Sequence, residues 1–251
     1  MSSKTQVQET SRHLDLEAAI EALDIHKLDA TQLKKFNIPL CGMTLDQNSK
    51  LKPHFFAARP NIPQPNDEIL DDVCSSHPSF TDMFSLAHHA YICWDSYAFH
   101  DVDFLDSAPW HWKEKELYQY DSPEFGAFTT TDIAGSKFTH FKAAIYNDLE
   151  ADDETYFRGE LLIILRLMLG QLRKIRLLCH YKAPVLLISL AGNHARLLEF
   201  YFDDESVSLI VRSGLYELSD RISTSKVFKT LAEYYLSDPA GNTAEAVVSE
   251  Q

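Results

Sequence analysis

Residues 184–213 read PVLLISLAGNHARLLEFYFDDESVSLIVRS, and this stretch decides the fold. Pro184 to Leu190 is a short apolar run followed by turn formers, which predicts a buried strand. Gly192-Asn193 supplies a turn, Ala195 to Phe202 a second strand, Asp203-Asp204 a further turn, and Val207 to Ser213 a third strand. Three strands joined by such short turns form an antiparallel meander.

Working backwards, Asp152-Asp153-Glu154 complements a helix N-terminus, and the apolar residues that follow predict a core helix reaching about Cys179. Working forwards, Val227, Phe228, Leu231, Tyr234 and Tyr235 predict an amphipathic helix that starts near Ser223 or Thr224. The expectation is an α+β fold: a core helix packed on a three-stranded antiparallel meander, with a helical, proline- and aromatic-rich N-terminal part.

That N-terminal part divides by composition. Residues 1–13 read as a disordered tail and residues 238–251 as a flexible one, leaving 14–237 as a single α+β domain. Within it, 14–72 holds two short helices before Pro39 and then a wrap in which Pro53, Pro60, Pro63 and Pro65 discourage regular structure. The aromatic-rich region 73–150 carries Trp94, Trp110 and Trp112, with a helix expected at about Thr81–Tyr91 and irregular structure after it. Residues 151–237 are the helix–meander–helix core.

The 251 residues carry 23 Lys and Arg against 37 Asp and Glu, a net charge of −14, so the average surface repels phosphate and nucleic acid is a disfavoured partner. The four cysteines lack a C-x-x-C pair and are read as reduced. The N-terminus has no apolar core of a secretion signal, and the apolar run Leu161–Leu169 falls short of the roughly 20 residues that span a bilayer. A cytoplasmic or nuclear location, without secretion or membrane insertion, is expected.

Several groups are candidates for chemistry. His88, His100, Asp101 and Asp103 combine imidazole and carboxylate, the donor set of a divalent metal site, although no cofactor is predicted outright. Trp94, Trp110 and Trp112 are candidate ligand-binding aromatics, as either a pocket wall or core. Arg166 and Arg173, seven residues apart on one helix face, are candidate anion ligands or solvent-facing charges. Ser189 lacks the glycine two positions before it that a nucleophile elbow needs, and no nucleotide-binding glycine motif is present.

At Phe157-Arg158-Gly159-Glu160, Met168, Gln171-Leu172-Arg173, Pro184-Val185, Ser189, Gly192, Ala195-Arg196 and Phe202-Asp203, the chain resembles a group of uncharacterised filamentous-fungal proteins. Proteins of that group have no assigned activity and some are encoded among fungal secondary-metabolite genes, so the resemblance implies an association with that metabolism and little about mechanism. Gln171-Leu172-Arg173 and Ala195-Arg196-Leu197 are also similar, more distantly, to the segment that precedes the core of fungal-type protein kinases, without the kinase catalytic motifs. The element order is similar to restriction-endonuclease-like nucleases, which implies Glu160 and Glu199 as catalytic, Mg²⁺-holding candidates. The meander departs from that pattern, because no lysine stands two positions after Glu199.

Three functions follow: an accessory or binding protein whose partner is a protein or a small hydrophobic metabolite, a Mg²⁺-dependent nuclease-like enzyme, and a small-molecule enzyme of a biosynthetic pathway. The incomplete catalytic sets favour the first. Oligomeric state is not legible.

Overall fold

The computed structural model describes residues 3–45, 52–75, 80–100, 117–132, 138–174, 180, 182–202 and 208–243. Its helices are α1 (Ser3–Glu21), α2 (Ala30–Lys35), α3 (Asp67–Cys74), α4 (Met83–His100), α5 (Arg158–Leu172) and α6 (Arg221–Tyr235). The first six strands are β1 (Lys27–Leu28), β2 (Leu40–Gly42), β3 (Phe56–Ala57), β4 (Tyr118–Gln119), β5 (Phe125–Asp132) and β6 (Phe141–Asn147). The other six are β7 (Tyr156–Phe157), β8 (Val185–Ala191), β9 (His194–Phe202), β10 (Ser208–Arg212), β11 (Tyr216–Glu217) and β12 (Asp238–Pro239).

Helices and a mixed sheet make the fold α+β. β8, β9 and β10 pair antiparallel in succession, with Val185 opposite Phe200 and Val211 opposite Glu199. They are the middle of a larger sheet rather than a sheet of three. The order is β2-β10-β9-β8-β6-β5-β4, with β11 also on β9. β6 lies parallel to β8, and β2 parallel to β10. Parallel neighbours need a crossover, and here α5 carries the chain from β6 to β8.

The sheet is covered on both sides. Phe141, Ala143, Ile145, Leu187, Leu198 and Phe200 face α5 and α1, whereas Ala144, Leu186, Ile188 and Leu197 face α4 and α6. Burial of both faces explains why β6 and β8 are buried at every position and why β8 reads as an apolar run, broken only by Ser189, without alternation.

α5 is buried except at Arg166 and Gly170, because α1 covers the side turned away from the sheet. Residues 1–13 are accordingly no tail over the described part. His13 stacks on Phe202 at a centroid distance of 3.4 Å, and Ile20 is fully buried. The C-terminal tail is also shorter than expected: β12 pairs with β3, and buried Thr243 meets His180 Nδ1 at 2.7 Å. Residues 244–251 lie outside the described residues.

Local signals shift other boundaries. Asp152 does not start α5; its carboxylate accepts from the backbone N–H groups of Glu154 and Thr155 in a preceding turn. α6 begins earlier than expected because Asp220 caps it, accepting from Ser223 N at 2.9 Å. α3 occupies the end of the supposed wrap, capped by Asn66 accepting from Ile69 N. α4 runs on to His100, and β5 and β6 occupy ground where irregular structure was expected. Asp203-Asp204 and Cys179 lie outside the described residues.

Candidate functional site

The two acidic candidates sit on opposite faces of the sheet. Glu160, in the first turn of α5, is fully buried, and Arg196 from β9 grips both of its oxygens at 2.8 and 2.7 Å. The Arg196 guanidinium also donates to the carbonyls of Asp152 and Thr155 and lies 4.7 Å over the Phe157 ring. Glu160 Oε2 accepts in addition from Phe157 N at 2.9 Å, which closes the helix N-terminus. Arg212 reinforces the same turn by donating to Thr155 O and Asp153 O. Ser189, on this face of β8, is buried and accepts from Asn147 Nδ2 at 3.3 Å.

Glu199 stands three residues after Arg196 on β9, so the strand's alternation turns it to the α4 and α6 side. It accepts from the backbone N–H groups of His54 and Phe55 at 2.6 and 2.7 Å, and burial raises its pKa to about 7. With the sheet between them, Glu160 and Glu199 cannot hold one Mg²⁺. On the same face as Glu199, buried Lys142 donates to Tyr235 O and Ser237 O, closing the C-terminus of α6, and burial lowers its pKa to about 7.

The remaining candidates separate as well. Trp94 is core, 2% exposed and edge-on to Tyr235 at 5.2 Å. Arg166 is bound to Glu17 and Glu21 of α1 at 2.8 and 2.6 Å, so it fastens α1 to α5 and is no free anion ligand. Arg173 is exposed at the C-cap of α5. His88 is exposed and stacked on Phe84 at 5.6 Å. Asp101, Asp103, Trp110 and Trp112 lie outside the described residues, as does the side chain of His100.

Two groupings were missed in the sequence. The first joins α3 to α4. Asp72 Oδ2 accepts from Cys93 Sγ at 3.4 Å, Cys93 Sγ is 3.9 Å from His89 Nε2, and His89 Nε2 is 3.9 Å from Asp72 Oδ1. Burial, then the Asp72 charge, push the Cys93 thiol up to about 12. The i, i+4 spacing of His89 and Cys93 was the available signal. Above the trio lies a hollow of about 580 Å³ bordered by Glu68, Asp71, Ser75 and Ser96. A second cleft of about 200 Å³, lined by Phe80, Leu86, His89 and Leu218, is below the roughly 300 Å³ at which drug-sized ligands are usually enclosed.

The second grouping is an aromatic row from α4 to β4. Tyr91 stacks on Phe128 at 4.7 Å, Phe128 on Tyr146 at 5.0 Å, and Phe84 meets Tyr146 edge-on at 4.8 Å. Gly126 has no Cβ to separate Tyr146 from Tyr118, and Tyr118 stacks with Tyr120, which is 78% exposed. Phe84 and Tyr120 are the exposed apolar members of this row.

No protein-family model, curated protein or solved structure matches the chain. Among the described residues, no helix is long and apolar enough to cross a membrane.

Proposed function

We propose that this chain is an accessory or binding protein that docks a protein partner through the aromatic row of α4, β5 and β4. The observation that carries the reading is the engagement of both candidate catalytic carboxylates within the fold: Glu160 is held by Arg196 and Phe157 N, and both oxygens of Glu199 accept from backbone N–H groups. Residues so engaged maintain the fold and leave no oxygen aimed at a substrate. Exposed aromatic rings offer large contact area at little loss of rotamer freedom, which suits a protein surface.

The test uses the wild-type chain as bait in cells that express it, followed by measurement of the recovered partner with purified proteins. Substituting Phe84→Ala and Tyr120→Ala together should weaken that complex by about tenfold or more, with a loss of a few degrees in melting temperature from the packing of Phe84 on Tyr146 that leaves the chain folded. Undiminished affinity in the double variant would remove the docking face. Turnover of any substrate that is lost in a folded Glu199→Gln variant would replace the reading with an enzymatic one.

A further inference from the structure

We infer that Asp72, His89 and Cys93 form a Zn²⁺ site joining α3 to α4, with three protein ligands and a fourth position turned to the acidic hollow. Three donors of different chemistry, a carboxylate, an imidazole and a thiol, converge here from two helices, and their ligand atoms all lie within 4.8 Å of one another. Tetrahedral zinc with metal–nitrogen and metal–oxygen bonds near 2.0 Å and a metal–sulfur bond near 2.3 Å places such atoms roughly 3.3–3.6 Å apart. Cys93 Sγ already lies 3.4 Å from Asp72 Oδ2 and 3.9 Å from His89 Nε2, and His89 Nε2 lies 3.9 Å from the other Asp72 oxygen, Oδ1, so a small turn of the carboxylate brings one of its oxygens to both partners.

The supporting structure fits a metal ligand set. His89 and Cys93 are one helical turn apart on α4, so one rigid helix presents both. The His89 ring stacks on Phe80 at 4.7 Å, which restrains its rotation. Asp72 is exposed enough to swing, with 67% of its side chain accessible. Glu68 borders the hollow and adds to the negative charge of Asp72 that draws a cation in, whereas the neighbouring Asp71 is paired with Arg221. The thiol and imidazole select a borderline-soft ion such as Zn²⁺ over Mg²⁺ or Ca²⁺, which prefer oxygen alone. On binding, the Cys93 S–H bond breaks, its electron pair becomes the Zn–S bond, and the proton passes to solvent, while His89 gives up the hydrogen bond from Nε2 to Asp72 O at 3.2 Å and shifts that proton through solvent to Nδ1, which frees the Nε2 lone pair for zinc. The inference is independent of partner docking, since none of the three ligands belongs to the aromatic row.

The experiment is titration of the full chain with Co²⁺, then Zn²⁺ displacement, each followed by absorption spectroscopy. One Co²⁺ per chain, a thiolate-to-cobalt charge-transfer band and tetrahedral d–d absorption are expected, all reversed by one equivalent of Zn²⁺. Cys93→Ser and His89→Gln should each abolish the band and weaken Zn²⁺ binding at least about hundredfold. Asp72→Asn, a change at an exposed side chain that leaves the fold intact, should weaken binding at least about tenfold with the band retained at saturation. Cys41→Ser and Cys74→Ser should leave the spectra unchanged. Absence of the charge-transfer band in the folded wild-type chain, or its loss with Cys74→Ser and survival with Cys93→Ser, would overturn the assignment and leave the trio as hydrogen bonds between helices.

Discussion

Arg196→Ala is the substitution that most directly tests whether the Glu160 centre serves the fold. The guanidinium is 1% exposed and its carboxylate partner 0%. It makes four hydrogen bonds, at 2.8 and 2.7 Å to Glu160 and at 3.2 and 2.9 Å to the carbonyls of Asp152 and Thr155. Truncation leaves Glu160 with Phe157 N alone, inside a core that offers no solvent. Removing one member of a buried ion pair costs about 3–5 kcal/mol, because the charge left behind is uncompensated. For a chain of this size that corresponds to a fall in melting temperature of roughly 6–20 °C. The assay is urea unfolding followed by far-UV circular dichroism, at low and high salt, and the loss should be nearly salt-independent because the site is buried. The combined change Glu160→Gln, Arg196→Met removes both charges and keeps an amide oxygen for Phe157 N, so it should recover to within about 2 kcal/mol of wild type. A loss under about 1 kcal/mol in Arg196→Ala, or a combined variant no better than the single one, would refute the structural role and return Glu160 to the candidates for chemistry.

Two further outcomes follow from burial and backbone geometry. His13 and His140 are held near pKa 4 by burial, against 6.5 when free, and their Nδ1 atoms have no hydrogen-bond partner among the described residues. The unfolded chain therefore binds more protons between about pH 6.5 and 4, and their effect is a loss of stability as pH falls through that window. Glu199 acts oppositely: raised from 4.5 to about 7, it favours the fold fully below about pH 4.5 and loses that contribution as pH rises through 7. Urea midpoints across this range should show Glu199→Gln gaining on wild type from pH 4.5 to 7, and a flat difference would contradict the ionisation described. Gly241 has φ +70°, and a Cβ there would lie 2.7 Å from the Phe55 ring, so Gly241→Ala should cost about 1–3 kcal/mol. Gly170, inside α5 with nothing within 4 Å of a Cβ, should instead gain roughly 0.5–1 kcal/mol on substitution by alanine in the same unfolding assay.

The hairpin of β8 and β9 was legible because its apolar runs are continuous and its turn contains Gly192, whose φ is +58°. α5 was legible for its apolar content, and that content also held a message the tail reading of residues 1–13 overlooked. A helix apolar all round must be covered on both sides, and α1 supplies the outer cover with a few apolar positions between many charged ones. β6 was hidden for a different reason. FKAAIYN places Lys142 and Asn147 in a strand buried throughout, and the partners that make this tolerable lie far along the chain, in the carbonyls after α6 and in Ser189. The separation of the two glutamates was partly available: Arg196 and Glu199 differ by an odd number within one strand, so they point to opposite faces. What the sequence could not supply was that Glu160 chooses Arg196.

The proline-rich segment shows how a stretch without regular structure can still position chemistry. Pro63 O accepts from Tyr97 Oη at 2.5 Å, Arg59 N donates to Glu233 O at 2.8 Å, and Gln64 Oε1 accepts from Ser225 Oγ at 2.9 Å. These bonds fasten the segment to α4 and α6 immediately before α3 begins. α3 is then held by Arg221, which pairs with Asp67 and Asp71. Two of the acids on α3 are thus spent on α6, while Asp72, one residue further round the helix, is left facing His89 and Cys93. The prolines lower the entropy that the unfolded wrap would otherwise lose on docking. The same feature that argues against a helix or strand in this part of the sequence therefore helps to fix where Asp72 stands relative to α4.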